Sequence, residues 1–244
     1  MKAAFRTNHG LYEPLVMFFG LTNSPATFQT MMDNISEDLI SEGVVVVYLD
    51  DILIFTETLE EHWKITCCVL ELLEKHKLYL CSDNLKCKFK KTTIKYLGVI
   101  ISHNSIVMDP VKIAGVTKWP TPTNQKEVQS FLGFTNFYRW FIQDFSEHAC
   151  PLFNLTRNNS SWHWEEAERT AFTWLKGSVT SALVLISPNL TKPFHIEANS
   201  SDFATGVVLS QVSSEDEKWH PVAFLSKSLS PSNGTMRSTT RRCW

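Results

Sequence analysis

The sequence predicts an α+β fold, and three observations carry that expectation. Apolar residues recur at helical spacing after Pro25, through Thr58–His76, over roughly 124–134 and 136–147, and from Trp162 to Thr180. Short runs rich in β-formers, Val44–Tyr48 and Ile52–Phe55, sit between the first two helical stretches. From about Pro193 the pattern changes to strands, in FHIEANS, ATGVVLSQV and HPVAFLS. A helical middle followed by a second sheet is an α+β arrangement.

Each element has local reasons. Asn23-Ser24-Pro25 opens the first helix. Ser24 is expected to cap it, and Pro25 suits the first turn, where a missing N–H costs nothing. Gly43 ends it. In the next helix Leu59, Trp63, Val69, Leu72 and Leu73 are expected near one face. Lys86, Lys88, Lys90, Lys91 and Lys95 form a basic stretch leading into the apolar run YLGVIIS at 96–102, read as a strand. Pro110, Pro120 and Pro122 punctuate the chain before the middle helices.

Composition limits the function classes. The 244 residues are 43% hydrophobic and 20% charged, enough for one or two domains with real cores. A net charge of -2 excludes nucleic-acid or membrane binding by bulk charge, so any such partner is met by a local patch. The six cysteines, Cys67, Cys68, Cys81, Cys87, Cys150 and Cys243, lack the paired spacing of a metal site and read as reduced thiols. MKAAFRTNHG has no secretory apolar segment, and no apolar run approaches membrane-spanning length. The expectation is an intracellular protein of cytoplasm or nucleus, without a membrane partner.

Asp50 and Asp51 interrupt the apolar run VVVVYLDDILIF. Successive strand residues point to opposite faces, so two acids within one strand would drive one into the core. The turn of a hairpin between Val44–Val47 and Ile52–Phe55 avoids that. A plain polar turn would look the same. Carboxylates clustered on a rigid turn also hold Mg²⁺, and two such ions about 3.5–4 Å apart serve phosphoryl transfer.

The neighbouring motifs decide between these readings. Phe19-Gly20-Leu21-Thr22-Asn23-Ser24-Pro25-Ala26-Thr27-Phe28-Gln29, then Tyr48-Leu49-Asp50-Asp51, then Tyr96-Leu97-Gly98 resemble, in order and spacing, the reverse transcriptase of gypsy-type LTR retrotransposons. The likeness continues through Phe131-Leu132-Gly133-Phe134-Thr135-Asn136-Phe137-Tyr138-Arg139. It reaches an RNase H-like region at Ser201-Asp202-Phe203-Ala204-Thr205-Gly206 and covers nearly the whole chain up to Pro231.

The resemblance implies a segment of a pol polyprotein. It implies a partial palm over 1–105, lacking the fingers and first palm strand, and thumb and connection helices over 106–160. The N-terminal part of an RNase H-like mixed sheet follows over 161–231. In this family Asp50 and Asp51 are catalytic, two of three carboxylates that hold Mg²⁺ or Mn²⁺. Tyr48 lies beside the primer and incoming nucleotide. Phe19, Gly20 and Gln29 line the nucleotide and template side. Tyr96, Leu97 and Gly98 grip the primer end. The partners implied are an RNA/DNA primer–template duplex and a dNTP.

Against the family pattern this sequence departs in four places. The family's third metal carboxylate lies on a strand that would precede Met1. The RNase H strand ends in the family in Asp-Ala-Ser-Asp, the first Asp being catalytic; Asn199 stands there here, with Asp202 at the second family position. The tail 232–244, SNGTMRSTTRRCW, lacks the family pattern. Synonymous codons for it, read in another frame, give ERNYEIHDKEML, the family's next segment. The tail is therefore expected to be frameshifted near Pro231–Ser232. Finally, Cys67, Cys68, Cys81, Trp140 and Cys150 stand where relatives commonly carry Arg or a similar polar residue, and Phe18 where they carry Pro. Most of these are single transitions, as expected of a decaying repeated element.

The sequence is thus read as a retrotransposon-derived RNA-directed DNA polymerase and RNase H fragment, inactive alone. The alternative is a non-catalytic nucleic-acid- or partner-binding remnant. A third reading, a decayed product that folds poorly, rests on short sheets with open edges.

Overall fold

A computed structural model describes residues 3–80, 87–157, 160–181, 184–201 and 204–229. The chain forms two compact units, Met1–Lys91 and Thr92–Trp244. Helices and antiparallel sheets make up both, as an α+β chain should.

The first unit opens with a small hairpin, β1 (Phe5–Thr7) and β2 (Gly10–Tyr12). Helices α1 (Ser24–Ile35) and α2 (Glu37–Ser41) follow, then the hairpin β3 (Val45–Tyr48) and β4 (Asp51–Ile54), then α3 (Leu59–Lys75). β3 alternates: Val45 and Val47 are buried, Val46 and Tyr48 exposed. That period of two turns one face toward α1 and α2, which contribute Met32 and Leu39 to the core. α3 packs on β4 and adds Ile65, Val69 and Leu73. Thr58 caps α3, accepting a hydrogen bond from the Glu61 N–H at 3.2 Å.

The second unit begins with a three-stranded meander, β5 (Thr93–Tyr96), β6 (Val99–Ser102) and β7 (Ser105–Met108). Four helices come next: α4 (Pro110–Thr117), α5 (Gln125–Phe137), α6 (Phe145–Leu155) and α7 (Glu166–Thr180). A single 3₁₀ turn, Arg139–Phe141, separates α5 from α6. β8 (His195–Ser200), β9 (Ala204–Val212) and β10 (Trp219–Ser228) close the unit as an antiparallel sheet in the order β10-β9-β8. An isolated bridge between Ile106 and Leu185 ties the meander to the chain after α7.

One hydrophobic core runs through this unit, with Phe131, Phe145, Leu152, Leu155 and Leu175 among its fully buried side chains. Caps fix the helices around it. Asp109 accepts from the Val111 N–H at 3.1 Å at the start of α4, with Pro110 in the first turn. Asn124 accepts from the Glu127 N–H at 3.1 Å, while the Glu127 carboxylate takes the Thr123 N–H at 2.7 Å. Gln211, inside β9, is buried and pins the loop before β8: its Oε1 accepts from the Asn189 N–H at 2.8 Å, and its Nε2 donates to the carbonyls of Asn189 and Lys192 at 2.9 and 3.1 Å.

Four sequence expectations are corrected. Ser24 does not cap α1: Asn23 holds the cap position, and the Ser24 hydroxyl donates instead to the Phe18 carbonyl at 3.2 Å. YLGVIIS is a hairpin bend and not one strand, because Leu97 and Gly98 both take positive φ, 46° and 82°. The helix expected over 136–147 is split, since Asp144 has φ 52° and restarts the chain into α6. The inward face of α3 carries Ile65, Thr66, Val69 and Leu73, while Leu59 and Trp63 are exposed; Lys90 lies over the Trp63 ring, 4.0 Å from its centroid, and gives it a surface partner. Asp202, Cys81, Lys86, Cys243 and the tail 232–244 lie outside the described residues.

Candidate functional site

The paired carboxylates sit where the sequence places them, at a hairpin turn. Tyr48 pairs with Asp51 as the last rung of β3–β4, leaving Leu49 and Asp50 as a two-residue loop. Leu49 has φ 51°, a left-handed backbone unusual for a residue with a bulky side chain. Both Asp side chains face solvent, and Tyr48 is half exposed beside them.

Gln29, one helix away on α1, holds this loop. Its Oε1 accepts from the Leu49 N–H at 2.6 Å, and its Nε2 donates to the Val47 carbonyl at 3.1 Å. The same Nε2 lies 2.7 Å from Asp33 Oδ1, one turn further along α1. The amide thus mimics a neighbouring strand, taking one donor and one acceptor from β3 as the chain leaves it. The resemblance puts Gln29 on the nucleotide and template side; in this conformation its polar groups are engaged with the turn itself.

Phe19 and Gly20 belong to the same place. With Phe18, Pro25, Leu49 and Asp50 they line a cleft of about 600 Å³ that is largely apolar. The Phe19 side chain is fully exposed at its mouth. Phe19, Gly20 and Asp50 therefore line one concavity, which Gln29 does not.

The donor set for a metal is two adjacent carboxylates. Among the described residues no three His, Cys, Asp or Glu side chains come together to hold an ion. Asp50 and Asp51 fit the weak, partly hydrated grip that Mg²⁺ accepts from one or two carboxylates. They do not by themselves fit the anchored cage of a two-metal centre.

Tyr96, Leu97 and Gly98 belong to the second unit, at the β5–β6 bend. The Gly98 carbonyl accepts from the Tyr138 hydroxyl at 3.1 Å and from the Asp109 N–H at 3.3 Å. Asp109 also pairs with Lys95 on β5. The Lys95 ammonium, with the Val111 N–H, holds the Asp109 carboxyl below its ordinary value against the opposing effect of desolvation. Burial, helped by the Asp109 charge, pushes the Tyr138 phenol up, so it stays a donor. Tyr138 and Asp109 escaped sequence reasoning as site-forming residues, although Asp109-Pro110 is a helix-start signal that would have placed the Asp at a cap.

Asn199 lies near the end of β8, opposite Gly206 of β9. Its side chain is exposed, and its Oδ1 accepts from the Ser200 N–H at 2.9 Å. A neutral amide satisfied by its own neighbour offers little to a cation.

The chain thus carries a carboxylate-bearing β turn backed by a helix, then a strand meander, a helical segment and a second antiparallel sheet. Residues 2–101 match the family described as reverse transcriptase (RNA-dependent DNA polymerase), and residues 164–244 match the RNase H-like domain found in reverse transcriptase, a match that runs through 232–244 against the expectation that the tail lacks the family pattern. The chain belongs to the reverse transcriptases of LTR retrotransposon Pol polyproteins, as a stretch running from the polymerase into the RNase H-like domain. It is 39% identical over 239 residues to the retrovirus-related Pol polyprotein from transposon opus of Drosophila melanogaster, covering 93% of this chain and 23% of that protein. The Pol polyprotein from transposon 297 of the same fly is 37% identical over 229 residues, covering 93% of this chain and 21% of that protein. The transposon Tf2-3 polyprotein of Schizosaccharomyces pombe is 35% identical over 229 residues, covering 94% of this chain and 17% of that protein. The chain thus spans less than a quarter of the curated relatives it matches.

The fold agrees. A foamy viral protease-reverse transcriptase, solved in complex with an RNA/DNA hybrid, superposes with a TM-score of 0.76 at 22% identity, covering 98% of this chain and 32% of that one. Another solved with double-stranded DNA gives 0.76 at 23% identity, covering 98% and 41%. No helix among the described residues is long and apolar enough to cross a membrane.

Proposed function

We propose that this stretch supplies the metal-side turn and the primer-side turn of an RNA-directed DNA polymerase, and that alone it binds a primer–template duplex without extending it. One observation carries the reading: Asp50 and Asp51 stand on a turn braced from α1 by Gln29, and Asp50 lines the same cleft as Phe19 and Gly20. Asp50 and Asp51 are the residues that would hold Mg²⁺ or Mn²⁺, which when bound would supply positive charge beside a triphosphate. Tyr48 and the Phe19–Gly20 wall position the nucleotide beside that charge. Tyr96, Leu97 and Gly98 contact the primer end.

The reading of no polymerisation by the chain alone starts from the donors themselves, two adjacent solvent-facing carboxylates on one turn, which suit a weak, partly hydrated grip on a cation. The RNase H-like sheet is likewise non-catalytic, with Asn199 in place of the family carboxylate. Duplex binding is supported by the kinship with proteins solved on nucleic acid.

The test is a primer-extension assay on an RNA template with Mg²⁺ or Mn²⁺, run beside retention of the same duplex over a salt series. The expected result is no extension and salt-sensitive retention. Extension that disappears on Asp50→Ala overturns the claim of inactivity. Retention that is absent at low salt overturns duplex binding.

A further inference from the structure

The Leu97–Gly98 bend is held from outside its own hairpin. Both residues have positive φ, and Leu97 carries a side chain into a region that L-residues rarely adopt. The Gly98 carbonyl takes two donors, the Tyr138 hydroxyl at 3.1 Å and the Asp109 N–H at 3.3 Å. Tyr138 follows α5 directly and is 3% exposed. Its ring packs among Phe134, Phe137 and Phe141, with centroids 5.3, 4.9 and 6.4 Å away, so the hydroxyl has a fixed direction. Asp109 is itself anchored, capping α4 and pairing with Lys95 beside Tyr96.

We propose that Tyr138 is a positioning residue for the Leu97–Gly98 turn: its hydroxyl, together with the Asp109 amide, aims the Gly98 carbonyl and so sets the attitude in which the turn meets a primer end. This rests on reading the turn as a primer contact. Geometry supports it from both sides of the bond. A Cβ at residue 98 would meet the Tyr138 Oη at 3.1 Å and the Phe137 ring at 3.5 Å, so the absence of a side chain there is what admits the phenol. The end of α5 and the cap of α4 thus both donate to the Gly98 carbonyl, and the Tyr138 hydroxyl is the hydrogen bond by which the end of α5 reaches the turn.

The experiment uses the full chain and two readouts. One is amide exchange at Asp109 and across residues 97–99. The other is the ratio of affinities for a recessed-3′-end primer–template and a blunt duplex of the same length. Tyr138→Phe keeps the ring and removes the donor. It is expected to speed exchange at Asp109 and the bend and to lower the affinity ratio roughly three- to ten-fold, the scale of one lost hydrogen bond. Thr135→Ala is the control: Thr135 is fully buried in α5 and its hydroxyl reaches the Phe131 and Leu132 carbonyls, so its loss weakens the same helix without touching the bend. It is expected to lower the melting temperature and leave the ratio unchanged. Wild-type exchange and ratio in Tyr138→Phe, or an equal fall of the ratio in Thr135→Ala, overturn the proposal. A wild-type chain that holds both duplexes equally overturns the primer reading instead, and the exchange readout still decides whether Tyr138 holds the turn.

Discussion

The side-chain amide of Gln29 grips the backbone around Leu49, accepting the Leu49 N–H at 2.6 Å and donating to the Val47 carbonyl at 3.1 Å. The acidic turn is therefore shaped by a residue on another element, and the strained φ of Leu49 is stabilised by it. Gln29→Leu is expected to cost about 1–3 kcal/mol, because two part-buried backbone groups lose their partner. Thermal unfolding and exchange at the Leu49 amide measure it. Gln29→Glu keeps the acceptor and loses the donor. It also brings a further negative charge near Asp33 and the paired carboxylates, so it is expected to be no milder.

Gly98→Ala is expected to destabilise by about 1–3 kcal/mol, since a positive φ opposes any Cβ. The new methyl would also press on the Tyr138 hydroxyl, 3.1 Å away. A lowered melting temperature checks this. A variant as stable as wild type would show that the bend relaxes freely.

Asp109 gives the fold a defined acid sensitivity. Its carboxyl is held below its ordinary 3.8 by the Lys95 ammonium first, with help from the Val111 N–H. A depressed folded value means that the unfolded chain takes up the proton more readily. The stabilisation is full above about pH 4 and is lost as pH falls through the lower folded value. In Asp109→Asn, unfolding measured between about pH 5 and 2 is expected to depend less steeply on pH than in wild type.

Gln211→Leu tests the loop anchor in the second sheet. Leucine fills a similar volume but strands the Asn189 N–H and the carbonyls of Asn189 and Lys192. The expected loss is about 1–3 kcal/mol, with faster exchange at the Asn189 amide as the local sign.

Much of this was legible in the sequence because it rests on near neighbours. The hairpin around Asp50 and Asp51 follows from strand alternation, and β9 has the bounds its pattern suggests. Thr58 and Asn124 sit at helix starts where short polar side chains belong. What was missed depends on partners distant in the chain or on left-handed backbone at residues other than glycine. Leu97 and Asp144 carry no composition cue for positive φ, so a bend was read as a strand and a helix break as a continuing helix. The bond from Tyr138 to Gly98 spans 40 residues, and that from Gln29 to Leu49 spans 20. No spacing rule connects such pairs; only packing does.

Leu49 and Leu97 occupy equivalent places in separate hairpins, each directly after a tyrosine and each at positive φ. Glycine or asparagine would rest there at lower cost. Each turn is instead tied down by a side chain from a helical segment distant in the chain, Gln29 at the Leu49 N–H and Tyr138 at the Gly98 carbonyl. The two bends are thus set from outside their hairpins, and their shape follows the helices that hold them.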